Sequence, residues 1–126
     1  MKKQTKIIIG VIIVVVVVLP LVYWGLTSGK PGKYDTFAQC LEEKGATFYG
    51  AFWCPNCVDQ KREFGRSASL LPYVECSTAN RQNQTQVCID AGITAYPTWE
   101  FSEGERVTGT VSLEVLAEKT GCELPV

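Results

Sequence analysis

Apolar residues form one long block near the N-terminus and several short ones after it. The long block, residues 7–26, contains 20 residues without a charge and is dominated by Ile and Val. At about 1.5 Å per residue, a helix of this length spans roughly 30 Å, the thickness of a bilayer core. It exceeds the apolar part of a typical cleavable signal peptide, and no A-x-A-like site follows it. We therefore predict a transmembrane signal-anchor helix, with a removed signal peptide as the alternative.

Beyond this block the pattern alternates between helical and strand periodicities. The predicted order is helix, strand, helix, strand, helix, strand, strand, helix. The first helix begins near Asp35, where Thr36 and Gln39 have capping-box spacing, and Ser112 caps the last one. The other predicted segments are strand 47–52, helix 58–64, connection 67–71, strand 72–76, helix 85–91 and hairpin strands 98–101 and 106–109.

Charge sets the expected orientation of the chain. Lys2, Lys3 and Lys6 precede the apolar block, which favours a cytoplasmic N-terminus. Without these three lysines, nine basic and thirteen acidic residues remain, a net charge of −4. Since no basic stripe is present, nucleic acid is not an expected partner. The predicted divisions are a cytoplasmic tail at 1–6, the membrane helix at 7–26, a linker at 27–35 and one domain at 36–126.

All six cysteines follow the apolar block, as expected in an oxidising compartment. Two of them, Cys54 and Cys57, form a C-x-x-C at a predicted junction between strand and helix. At such a junction the unpaired N–H groups and the positive end of the helix favour a thiolate at the first cysteine. Zinc would need two further ligands, and the chain has no histidine and no second C-x-x-C. A redox dithiol is favoured over a zinc half-site or an inert disulfide, and no metal is expected.

The order of elements, with Trp53-Cys54-Pro55-x-Cys57 after the first strand and Pro97 opening the hairpin, resembles the thioredoxin superfamily. The resemblance covers about residues 36–120 and implies an α/β fold with a mixed four-stranded central sheet flanked by helices. Segments 49–55, 71–76 and 96–100 are similar to the thioredoxin-like domains that accompany bacterial vitamin K epoxide reductase homologues.

The resemblance implies roles for individual residues. Cys54 would be the nucleophile, Cys57 would resolve the mixed disulfide, and Pro97 would follow a cis peptide bond. The neighbours of the active site would be Trp53, Pro55, Asn56, Tyr96 and Pro97, with Trp53 and Tyr96 as a partly exposed platform for a client.

Two positions depart from the family. Thioredoxins place a buried acid six residues before the first cysteine, where this chain has Phe48. Many oxidising relatives have histidine where this chain has Asn56. Both departures remove a group that assists proton transfer, so the helix N-terminus is the main identified means of activating Cys54.

The other four cysteines are expected to form structural disulfides. In the implied fold Cys76 and Cys88 lie on successive elements, and a bridge between them closes a loop of about a dozen residues, which stabilises by roughly 3 kcal/mol. Cys40 and Cys122 then form a pair by elimination. A redox relay through Cys76 and Cys88, and a Cys40–Cys88 link, are the alternatives.

These observations together predict a membrane-anchored thiol–disulfide oxidoreductase with its domain outside the cytoplasm, periplasmic or extracellular. Its expected clients are exported proteins with cysteines. The expected redox group is the Cys54–Cys57 disulfide, with no bound cofactor. The resemblance favours the oxidising direction, with a quinone-linked membrane homologue of vitamin K epoxide reductase as partner. The alternatives are a reductase or isomerase of the same fold and a non-catalytic binding module.

Overall fold

The computed structural model describes residues 1–27 and 29–126; Ser28, within the predicted linker, lies outside the described residues. The chain divides into two units, residues 1–30 and 31–126. The first unit contains one helix, α1 (Lys2–Thr27), with Pro20 inside it. Its stretch Lys2–Leu26 is long and apolar enough to cross a membrane and has no part buried in protein. By length and composition α1 is thus a candidate membrane span, a test that signal sequences also pass.

The second unit is built on a mixed four-stranded sheet in the order β2-β1-β3-β4. Strand β1 pairs in parallel with β2 and antiparallel with β3, which continues antiparallel to β4. The predicted thioredoxin-like fold, a mixed sheet flanked by helices, is confirmed. The elements are α2 (Asp35–Glu43), β1 (Thr47–Gly50), α3 (Pro55–Phe64), a 3-10 helix (Gly65–Leu70), β2 (Tyr73–Glu75), α4 (Gln86–Asp90), β3 (Thr98–Glu100), β4 (Arg106–Thr108) and α5 (Leu113–Thr120).

Helix and strand ends differ from the predicted ones for identifiable reasons. The capping box at Thr36 is wrong, because Tyr34 is the N-cap of α2 and makes no side-chain cap bond. Helix α3 begins at Pro55, whose missing N–H suits a first helical position. The segment predicted as connection is a 3-10 helix that buries Ser67, whose hydroxyl accepts a hydrogen bond from Tyr34 N–H. The cap at Ser112 is confirmed, since its Oγ accepts a hydrogen bond from Val115 N–H.

Alternate residues of β1 supply two separate apolar clusters, as the pleat of a strand requires. Phe48 belongs to the larger cluster and stacks on Trp99 with ring centroids 4.8 Å apart. Tyr49 belongs to the smaller cluster with Cys76, Cys88 and Ile93. Helices α2, α3 and α5 all contribute to the larger cluster, through Phe37, Ala38, Leu41, Cys57, Phe64 and Leu116.

Candidate active site

The C-x-x-C segment lies between the end of β1 and the start of α3. After Gly50 the chain turns, and Cys54 N–H donates to the Ala51 carbonyl over 3.0 Å. Cys54 is the N-cap of α3, with extended backbone angles, and Pro55 is the first helical residue. This places the Cys54 sulfur at the positive end of the helix and Cys57 in its first turn.

Both cysteines are free thiols, but they differ in access. Cys54 keeps 7% of its surface exposed, whereas Cys57 keeps 1%. Pro55 and Asn56 lie exposed between them. An attacking group from solvent therefore meets Cys54 first, and Cys57 reacts with a sulfur already held at Cys54.

The surroundings of Cys57 hold its sulfur in the thiol form. The pKa of Cys57 is raised to about 12, chiefly by burial. The neighbouring Cys54 also raises this pKa, whereas the backbone hydrogen bond with Ala51 lowers it. The positive charge of Lys61 acts in the lowering direction. Cys57 must therefore lose its proton before it can attack a mixed disulfide, and it takes a proton up when it leaves one.

The loop before β3 brings Tyr96 and Pro97 against the dithiol. The Tyr96–Pro97 peptide bond is cis, and Pro97 is fully buried. The Cys54 thiol donates to the Tyr96 carbonyl over 3.7 Å, a distance within hydrogen-bonding range for sulfur. The Tyr96 ring meets the Trp53 ring edge-on, with centroids 6.3 Å apart. The structure thus brings together Trp53, Cys54, Cys57, Tyr96 and Pro97.

A carboxylate and a hydroxyl that the sequence analysis missed hold the loop before Cys54. Glu75 Oε1 accepts hydrogen bonds from Phe52 N–H over 3.3 Å and from Ser77 N–H over 2.8 Å. The Trp53 indole N–H donates to Ser77 Oγ over 2.7 Å. The position of Glu75 and Ser77 at the end of β2 is a signal that could have identified them, because parallel strands such as β1 and β2 end at the same edge of a sheet.

Phe48, at the position where thioredoxins have an acid, makes apolar contacts. Phe48 is fully buried between the rings of Trp99 and Tyr73. A third polar group missed from the sequence is Gln60, whose Oε1 accepts from Trp99 Nε1 over 3.1 Å and from Val111 N–H over 2.8 Å. Its Nε2 donates to the Val111 carbonyl over 2.9 Å. Gln60 therefore anchors the helix that carries Cys57 to β3 and to the segment before α5.

The remaining four cysteines form two disulfides. Cys76 bonds to Cys88 across a separation of 12 residues, with Cα atoms 5.5 Å apart. Cys40 bonds to Cys122 across 82 residues, with Cα atoms 5.9 Å apart. Within residues 1–27 and 29–126, no three Cys, Asp or Glu side chains are grouped so that they could hold a metal ion.

Among known proteins, the chain is similar to a plant oxidoreductase. The chain is 37% identical over 110 residues, 84% of its length, to the thiol-disulfide oxidoreductase LTO1 of Arabidopsis thaliana. The chain spans 29% of the length of that relative. No protein-family model matches the chain.

Proposed function

We propose that this protein is a membrane-anchored thiol–disulfide oxidoreductase that uses Cys54 and Cys57. The observation that carries the proposal is the position of Cys54, at the N-cap of α3 and 3.7 Å from the Tyr96 carbonyl before cis-Pro97. It combines a partly accessible sulfur at the N-terminus of a helix with a neighbouring backbone edge for an extended substrate. The similarity to a protein named a thiol-disulfide oxidoreductase supports the same activity.

In the oxidising direction a thiolate of the client attacks Cys54 in the Cys54–Cys57 disulfide. The Cys54–Cys57 bond breaks, a bond between Cys54 and the client forms, and Cys57 leaves as a thiolate that takes up a proton. A second client thiolate then attacks the client's own sulfur in this mixed disulfide and releases Cys54. The client loses two electrons and two protons, and the protein gains both as a dithiol.

The reverse sequence reduces a client. The Cys54 thiolate attacks the client disulfide, and Cys57 then attacks Cys54 and expels the client thiolate. Burial of Cys57 disfavours its thiolate in both directions. This thiolate is the leaving group when a client is oxidised and the attacking group when a client is reduced.

We favour the oxidising direction, with clients that are exported proteins carrying cysteines. Two disulfides in the same domain, Cys40–Cys122 and Cys76–Cys88, fit an oxidising compartment. Helix α1 would hold the domain at the outer face of the membrane. A quinone-linked membrane homologue of vitamin K epoxide reductase would take the two electrons back through a disulfide of its own.

Paired cysteine variants test the activity. Cys57→Ser should trap a mixed disulfide between Cys54 and a reduced cysteine-containing peptide supplied with an oxidant, visible by non-reducing electrophoresis and mass spectrometry. Cys54→Ser should trap none and should lose turnover. Turnover that survives Cys54→Ser would overturn the catalytic role of Cys54, and a wild type without turnover would favour a binding module.

Equilibration of the Cys54–Cys57 pair with glutathione tests the direction. An oxidase is expected to have a potential near the roughly −120 mV of strongly oxidising relatives of this fold, whereas a value near −270 mV would assign the protein as a reductase. The fraction oxidised is measured by alkylation and mass spectrometry of the full chain in a mild detergent, with Cys57→Ser as the blank.

A further inference from the structure

One cation lies on the same face of α3 as the buried cysteine. Lys61 follows Cys57 by four residues, the spacing that places two side chains on adjacent turns of one helix face. Its Nζ lies 3.3 Å from the centroid of the Tyr73 ring, a close cation–π contact. Lys61 is half-buried, whereas the next residue, Arg62, is exposed and paired with Asp59.

The Tyr73 ring lies close to both Lys61 and Cys57. A Cβ built on Gly50 would lie 2.9 Å from both Tyr73 Cε2 and Cys57 Sγ. The Tyr73 ring and the Cys57 sulfur therefore both pack against Gly50. The Tyr73 hydroxyl donates to Glu75 Oε2 over 2.7 Å, and the other oxygen of Glu75 is held by backbone N–H groups. The lysine therefore rests on a ring whose position is set from β2.

The charged and titratable groups around Cys57 come from two elements. Helix α3 contributes Cys54 and Lys61, and β2 contributes Tyr73 with its partner Glu75. The residue of β1 that packs against Cys57 is Gly50, which has no titratable side chain. Burial and the hydrogen bond to Glu75 raise the pKa of Tyr73, so the phenol stays neutral and Lys61 is the cation of this group.

We propose that Lys61, held on the Tyr73 ring, is a positioning residue that stabilises the Cys57 thiolate during disulfide exchange. The proposal rests on the proposed function and names the residue that assists its buried sulfur. Phe48, six residues before Cys54, is buried and apolar, so Lys61 is the residue of this group that offers positive charge to the thiolate. In the resolving step the Cys57 thiolate attacks Cys54, the Cys54–client bond breaks, and the expelled thiolate takes up a proton.

An aromatic disulfide reagent, 5,5′-dithiobis(2-nitrobenzoate), separates the two steps. The full chain in a mild detergent, with Cys54 and Cys57 as thiols and the other two disulfides intact, should release one coloured thiolate as Cys54 forms a mixed disulfide and a second as Cys57 resolves it. Lys61→Gln should leave the first phase unchanged and slow the second at least about threefold, because the thiolate fraction of Cys57 falls by more than its nucleophilicity rises. Lys61→Arg should restore the second phase, and Arg62→Gln, the matched control, should leave both phases as in the wild type.

Three outcomes would overturn the proposal. These are an unchanged second phase in Lys61→Gln, an equal slowing of both phases, or a second phase that Lys61→Arg fails to restore. The assay needs no protein client, so its result is separate from that of the proposed function. A wild-type chain that completes both phases but never exchanges with cysteine-containing peptides would refute the function and leave the role of Lys61 standing.

Discussion

The thiol of Cys54 and the carbonyl oxygen of Tyr96 lie 3.7 Å apart, although 42 residues separate them in the chain. The contact joins the N-cap of α3 to the backbone just before cis-Pro97. An extended peptide bound along this backbone would present its own sulfur beside Cys54. The relationship explains why a partly exposed pair of rings, Trp53 and Tyr96, surrounds a sulfur that is itself 7% exposed.

Trp53→Ala is expected to weaken client binding rather than the chemistry. The Trp53 ring is 42% exposed and meets Tyr96 edge-on, so it offers apolar area to a client at little cost in stability. We expect the KM for a cysteine-containing peptide to rise about tenfold, the loss of roughly 1.4 kcal/mol of contact. The rate with the small aromatic disulfide should stay within about twofold of the wild type.

Trp53→Phe is the matched variant, because it keeps a ring against Tyr96 and loses only the indole hydrogen bond to Ser77. It should retain most of the affinity. An unchanged KM in Trp53→Ala would remove Trp53 from the client surface.

Gly50→Ala is expected to disable the resolving cysteine. The new methyl group would lie 2.9 Å from Cys57 Sγ and from Tyr73 Cε2, closer than real contacts allow. Overpacking of this kind costs about 1–3 kcal/mol of stability. Displacement of the sulfur should slow the second phase of the aromatic disulfide reaction at least about tenfold, since exchange depends on alignment of three sulfurs.

Gly10→Ala serves as the control for Gly50→Ala, because no atom lies within 4 Å of the added carbon there. The two variants are compared by stopped-flow absorbance and by thermal unfolding. A wild-type second phase in Gly50→Ala would mean that the packing around Cys57 adapts freely.

The sequence was sufficient for the features that depend on local pattern. The C-x-x-C between a strand and a helix start, the order of elements and the Ser112 cap all follow from residues close together in the chain. The fold itself came from resemblance, because hydrophobic periodicity alone does not give the strand order β2-β1-β3-β4.

The residues missed were polar groups whose roles arise only from long-range contacts. Gln60 looks like a surface residue in a charged helix, yet it is fully buried and bonds to Val111, 51 residues away. Glu75 lies in a short strand, and its hydrogen bond to Phe52 N–H spans 23 residues. Neither interaction has a periodicity, so no local pattern could have predicted it.

Gln60→Leu is expected to destabilise the domain strongly. The change keeps the side-chain volume roughly constant but leaves the Trp99 indole N–H and both backbone groups of Val111 without their partner. Unpaired buried polar groups cost about 1–3 kcal/mol each, so we expect a loss of about 3 kcal/mol or more. In a domain of this size the Tm should fall by at least about 10 °C.

Gln86→Leu, in the exposed face of α4, is the control and should change the Tm by no more than about 2 °C. Differential scanning calorimetry of the oxidised full chain measures both variants. A Tm of Gln60→Leu equal to that of the wild type would show that the hydrogen bonds of Gln60 contribute little to stability.

Removal of each structural disulfide should separate stability from chemistry. Cys76→Ser with Cys88→Ser opens a loop of 12 residues and should cost about 3 kcal/mol. Cys40→Ser with Cys122→Ser opens one of 82 residues and should cost more, about 4–5 kcal/mol. Urea unfolding of each double variant measures the difference, and both folded variants should keep the Cys54–Cys57 exchange rate.

A Cys76–Cys88 pair that relays electrons would behave differently. The double variant would then remain competent with the aromatic disulfide but would lose catalytic turnover with a protein client and an external oxidant. This outcome would replace the structural role of that pair with a redox one.

The raised pKa of Cys57 predicts how the stability of the reduced domain depends on pH. Burial is the main cause that raises the pKa of the Cys57 thiol from 9.0 to about 12 on folding. Between these values the unfolded chain binds fewer protons, so stability present below pH 9 is lost as the pH rises toward 12. In urea unfolding of chains in which Cys54 and Cys57 are thiols and both structural disulfides are intact, the wild type should therefore lose stability relative to Cys57→Ser from pH 9 upward. Subtracting the variant removes contributions that are the same in both chains, and a difference that stays constant across this range would contradict a buried, neutral Cys57.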